Sequence, residues 1–73
     1  MRIAKVFVHN RDGVGQSGYK VKTYNGDTVR TDRDGIADLL INDSGTISIY
    51  VNGREAFSGQ ASRLPKILTF QVS

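Results

Sequence analysis

A chain of 73 residues with no cysteine, one histidine and one methionine makes one small domain, without a disulfide framework or a cysteine metal site. Charged residues at 23% and hydrophobic ones at 38% argue for a folded domain over a disordered chain. No apolar run approaches the roughly 20 residues of a membrane-spanning helix, and the net charge of +3 comes from scattered basic residues that never stand two together.

Four Asx-Gly dipeptides, Asp12-Gly13, Asn25-Gly26, Asp34-Gly35 and Asn52-Gly53, punctuate the chain. Asn and Asp tolerate positive φ and Gly is indifferent to it, so these pairs suit tight turns. Turns at such short intervals predict an all-β sandwich or barrel. In Arg2–His9, Ala4, Val6 and Val8 share one face while Ile3 and Phe7 take the other, which predicts a strand buried on both sides near its middle. In Tyr19–Tyr24, Tyr19, Val21 and Thr23 oppose Lys20, Lys22 and Tyr24, the pattern of an antiparallel strand with one wet face. Thr28–Thr31 is a short strand with Val29 inward. Ile36–Ile41 buries Ala37, Leu39 and Ile41 and turns Asp38 and Leu40 out. Thr46–Val51 alternates Ile47, Ile49 and Val51 in against Ser48 and Tyr50 out. Asn52-Gly53 then turns into Arg54–Ser58, anchored by Phe57, and the last strand, Ile67–Val72, points Leu68, Phe70 and Val72 inward. No segment holds a helical 3.6-residue period over ten positions. The reading is seven strands, essentially no helix and no internal repeat, with Pro65 in the loop before the last strand.

Three patterns invite a chemical reading. Gly13-Val14-Gly15-Gln16-Ser17-Gly18 is a literal G-x-G-x-x-G, but a dinucleotide site needs a helix next and here an alternating strand follows. A glycine-rich interstrand loop is the better account, and no cofactor is expected. Asp32-Arg33-Asp34-Gly35, with Asp27 and Asp38 near, carries carboxylates that would suit a weak cation. It lacks the spacing of a calcium loop, and an Asx turn explains it. His9 has no nucleophile elbow to serve and reads as a surface or loop-capping residue. No catalytic residue and no metal ligand is assigned.

Lys20, Lys22, Tyr24, Arg30 and Arg33 would form a basic face with an aromatic, either a solvated sheet face or a single-strand nucleic-acid platform.

The stretch Val6 to Val51 resembles a transthyretin-type module, as in carboxypeptidase regulatory-like domains and the B-type repeats of bacterial collagen adhesins. The likeness rests on Val6-Phe7-Val8, Asp12-Gly13, Gly18-Tyr19-Lys20-Val21, then Thr31-Asp32-Arg33-Asp34-Gly35-Ile36-Ala37-Asp38-Leu39, and Gly45-Thr46-Ile47-Ser48-Ile49. The resemblance implies a seven-strand Greek-key β-sandwich, immunoglobulin-like in build, that is an accessory or adhesive module and not a catalyst. The family's usual proline in the first loop is replaced by Gly15-Gln16-Ser17. Lys5 lies where adhesin repeats carry an isopeptide lysine, but Ile67–Ser73 has no Asn, so no crosslink is expected. The relatives that hydrolyse hydroxyisourate use two histidines and end Tyr-Arg-Gly-Ser. This chain has His9 alone and ends Phe70-Gln71-Val72-Ser73, so that activity is not expected.

The expected function is protein–protein contact or a structural accessory role through an exposed sheet edge or loop. The expected contact residues are Lys20, Lys22, Tyr24, Tyr50 and Arg54. The alternative is a small basic β-barrel or sandwich that binds nucleic acid. A protein partner or self-association is expected and a membrane is not. With its own Met and no signal-peptide apolar core, the chain fits a free-standing cytosolic protein of bacterial or phage origin. The modules it resembles usually belong to larger exported proteins, so an excised domain is the other expectation.

Overall fold

The computed structural model describes residues 2–24, 26, 28–42 and 44–72. Seven strands follow one another: β1 (Arg2–His9), β2 (Lys20–Thr23), β3 (Thr28–Arg30), β4 (Ile36–Ile41), β5 (Thr46–Val51), β6 (Arg54–Gln60) and β7 (Ile67–Gln71). One 3-10 turn, Ala61–Arg63, links β6 to β7. The strands form a three-stranded sheet ordered β4-β1-β7 and a four-stranded sheet ordered β3-β2-β5-β6. All pairings are antiparallel except β1 with β7, which is parallel. Among the described residues no helix is long and apolar enough to cross a membrane.

Period-two alternation makes the core. Ala4, Val6 and Val8 of β1, Val21 of β2, Ala37, Leu39 and Ile41 of β4, Ile49 and Val51 of β5, and Leu68 of β7 meet in one buried cluster. Both sheets contribute to it, so each covers the apolar face of the other. The core is built of aliphatic side chains; the largest of those fully buried are Leu39, Ile49, Val6, Val8, Val21 and Val51.

The structure departs from the sequence reading in several places. Ile3 is 63% exposed and Phe7 half-buried, so among the described residues the second face of β1 is not covered by another layer. β6 runs two residues beyond the expected Ser58, to Gln60. The segment after it returns to the core, with Ala61 and Leu64 buried. Arg2 holds it there, donating from Nη2 to the carbonyls of Ala61 and Leu64 at 3.1 and 3.2 Å.

A further departure is a short repeat. Asn10-Arg11-Asp12-Gly13-Val14 and Asp32-Arg33-Asp34-Gly35-Ile36 fold alike. The Asp12 and Val14 N–H groups donate to Asn10 Oδ1 at 2.9 and 3.0 Å. The Asp34 and Ile36 N–H groups donate to Asp32 Oδ1 at 2.8 and 3.0 Å. Gly13 and Gly35 both close their loops with φ near +80° (82° and 83°), a region that a Cβ disfavours.

Candidate functional site

The outer face of the four-stranded sheet gathers most of the expected contact residues. Directly opposed residues of an antiparallel pair share a face. Lys22 of β2 sits across from Tyr50 of β5 on one side and Thr28 of β3 on the other. Lys20 sits across from Arg30. Lys20, Lys22 and Arg30 are exposed, and Tyr50 is half-buried. Tyr24, at the end of β2, is 72% exposed, the most open large apolar side chain among the described residues. A shallow depression of about 380 Å³ is lined by Lys22, Thr23, Tyr24, Tyr50 and Gly53.

Local structure fixes these positions. Asn52 and Gly53 both have positive φ (48° and 84°), as the two-residue turn of a right-twisted hairpin requires. Asn52 then clasps β2: its Oδ1 accepts the Lys20 N–H at 2.9 Å and its own N–H donates to the Lys20 carbonyl at 2.8 Å. The hairpin turn therefore holds Lys20 in place through the backbone. Arg30 donates from Nη1 to the Gly18 carbonyl at 3.1 Å, which keeps its guanidinium beside the sheet.

Arg54 does not join this group. It pairs with Val51, whose side chain is in the core, so Arg54 leaves the sheet on the side opposite Tyr50, exposed at its end. The residue facing Tyr50 from β6 is Glu55. Between them the ladder slips: Ile49 opposes Phe57 and Tyr50 opposes Glu55, so Ala56 is an extra residue and β6 bulges. Arg33 sits in the loop between β3 and β4, outside the strands of the sheet.

Among the described residues of this face, Lys20, Lys22 and Arg30 are positive and Glu55, across from Tyr50, is negative. Lys20 and Arg30 are like charges placed directly opposite, an arrangement that weakens a strand pair. Among the described residues the ion pair is Lys5–Asp38 at 3.0 Å, on the other sheet. Asp27 lies outside the described residues.

The remaining chemical patterns resolve into structure. In the glycine motif, Gly13 closes its Asx loop and Gly18 has φ +81° at the entry to β2. Gly15 lies against the Asp34 carbonyl, where a Cβ would collide with it. Asp32 spends its Oδ1 on two backbone N–H groups, and these bonds hold its carboxyl below its ordinary pKa. Asp38 pairs with Lys5. No group of three or more His, Asp or Glu suited to a metal occurs among the described residues. His9 stacks on Phe7 with ring centroids 5.2 Å apart, and its Nδ1 bonds the Asn10 carbonyl at 2.8 Å.

Sequence reasoning missed Arg2 and Thr31. Thr31 is buried, leaves the expected strand and ties the β1–β2 loop to β3. Its Oγ1 accepts the Tyr19 N–H at 3.0 Å and donates to the Gln16 carbonyl at 2.6 Å. Nothing in the local alternation marks either role, because both partners lie far along the chain. No family model, curated protein or solved structure matches this chain.

Proposed function

We propose that the chain is a non-catalytic interaction module of the transthyretin-like, immunoglobulin-like sandwich type, and that the outer face of β3-β2-β5-β6 docks an acidic protein segment. The strand order supports the architecture: the chain crosses between sheets after β1, β3, β4 and β6, the long-range return that a Greek key uses. The observation that carries the docking reading is the Lys20–Arg30 pair beside Lys22, Tyr50 and Tyr24. Like charges set face to face cost a sheet stability, and an anionic ligand offsets that cost. Tyr50 and Tyr24 add large, stiff contact area next to the charges, the residue type on which interface energy concentrates.

The test is a fluorescence titration with a labelled Glu/Asp-rich peptide at low and high salt. Binding is expected to weaken with salt. Tyr50→Ala is expected to weaken it roughly tenfold, the loss of a central aromatic anchor. Lys20→Thr is expected to weaken binding while stabilising the fold by a few tenths of a kcal/mol, since it removes the opposed cations. No binding at low salt, or equal binding by Tyr24→Ala, Tyr50→Ala and the parent, overturns the reading.

The same three cations and two tyrosines support a second reading, single-stranded nucleic acid with bases stacked on the rings. Neutralising three phosphates predicts a salt slope of about −2 in a log–log plot for a single strand. Retention of an oligothymidine with that slope, in place of the acidic peptide, would select it.

A further inference from the structure

We propose that β7 is a self-association edge: two copies of this chain pair their β7 strands antiparallel about Thr69, joining their three-stranded sheets into one of six strands. The inference deepens the interaction reading but uses a surface on the other sheet, so variants at Tyr24 or Tyr50 leave it unmoved.

The backbone of β7 is open on one side. Val72 donates its N–H to the His9 carbonyl at 2.8 Å, and the parallel register sets Lys5 on Ile67, Phe7 on Thr69 and His9 on Gln71. Backbone groups alternate sides along a strand. Leu68, Phe70 and Val72 therefore bond β1, and the N–H and C=O groups of Ile67, Thr69 and Gln71 point outward. Those three residues are exposed.

The open groups are self-complementary. An antiparallel ladder joins open residue to open residue, and a two-fold axis at Thr69 sets Thr69 on the second copy's Thr69 and Ile67 on its Gln71. Every outward group of the three then finds a partner. The intervening pair is Leu68 against the second copy's Phe70, both on the core side. Phe70 is half-buried in one copy, so the pairing covers it and runs one core into the next. Thr opposite Thr is a favourable cross-strand pair, and Ile67–Gln71 carries no charge to repel a copy.

The other edges are defended. β3 has three residues and ends in Arg30. β6 bulges at Ala56 and carries Arg54 and Glu55. β4 presents the open groups of Ile36, Asp38 and Leu40, so self-pairing about its middle sets Asp38 against Asp38. The Ile36 carbonyl is already taken by the Asp32 N–H at 2.9 Å. Charges, bulges and short length are the devices that keep edges from pairing, and β7 has none of them within Ile67–Gln71.

Sedimentation velocity over a concentration series tests this, with Thr69→Lys, Thr69→Glu and their equimolar mixture. The wild-type chain is expected to dimerise reversibly. Each variant alone sets like charges together at the axis and is expected to weaken the dimer about fivefold or more. The mixture sets Lys on Glu and is expected to associate more tightly than either alone. A wild-type monomer at every concentration, or variants and mixture that all dimerise as the parent does, overturns the proposal. The second result would move the contact to a surface such as the exposed Ile3–Leu40 patch. If a variant does not fold, amide exchange on the wild type decides. The Thr69 and Gln71 amides are expected to gain protection with concentration while Leu68 and Phe70, bonded to β1, do not change. Concentration-independent exchange at Thr69 and Gln71 overturns it.

Discussion

Thr31 carries a hydroxyl into a core otherwise made of hydrocarbon, and it is tolerated because both ends of the hydroxyl are used. Replacing it with the isosteric Val keeps the volume but strands the Gln16 carbonyl and removes the acceptor of the Tyr19 N–H. Urea unfolding of Thr31→Val is expected to show a loss of about 1–3 kcal/mol, the cost of leaving buried polar groups unmade. Thr31→Ser, which keeps the hydroxyl, is expected to lose less; equal losses would show that the methyl and not the hydrogen bonds matters. Arg2 works on the same scale. It holds the carbonyls of Ala61 and Leu64 from 59 and 62 residues away in sequence, which is why a reading of local pattern passes over it.

The Asx-closed loop is the element this chain uses repeatedly. Asn42 begins another, accepting the Ser44 N–H at 3.2 Å ahead of Gly45 at φ +79°. The Asn10 and Asp32 loops lie at the same end of the antiparallel β1–β4 pair and pack on each other through Gly15 and Gly35, with no room for a Cβ at either. Asn10 and Asp32 make the same bonds, but only Asp32 titrates. Backbone N–H bonds from Ile36 and Asp34 lower its pKa in the folded chain. A lowered folded value means that the contribution is present above the ordinary Asp range and is lost as pH falls through the folded value. Asp32→Asn is expected to melt near the parent at pH 7, since Asn10 serves the same loop design, and to show a shallower loss of stability as pH drops below the ordinary Asp range. A parallel acid limb in parent and variant would contradict this. The Asx-Gly signals at Asp12, Asp34 and Asn52 and the alternation made these loops and strands legible, while Asn25 of the fourth pair lies outside the described residues. The likeness of the two five-residue segments is not legible in sequence alone, because a repeat so short stands out only when its hydrogen bonds coincide.

At the scale of the molecule, stability is concentrated in few side chains. A domain this size has a total stability of roughly 4–11 kcal/mol. Truncating a fully buried aliphatic residue such as Ile49 is expected to cost about 2–5 kcal/mol. Calorimetry on Ile49→Ala is therefore expected to lower Tm by about 10 °C or more or to abolish the cooperative transition. Leu40→Ala, at a side chain 59% exposed, is expected to stay within about 0.5 kcal/mol of the parent. A small Ile49→Ala effect would mean that the two sheets do not share one core.

The sequence by itself determined the seven strands, their inward faces and the hairpin at Asn52-Gly53, because alternation and turn chemistry act over a few residues. Tertiary structure alone decided the rest. It set Lys20 against Arg30 and Lys22 against Tyr50, sent Arg54 to the other side of the sheet, left Ile3 exposed and made β7 an edge beside β1. Strand order and register arise from packing two sheets over one core, a balance among residues up to some sixty positions apart, and no local pattern carries that information.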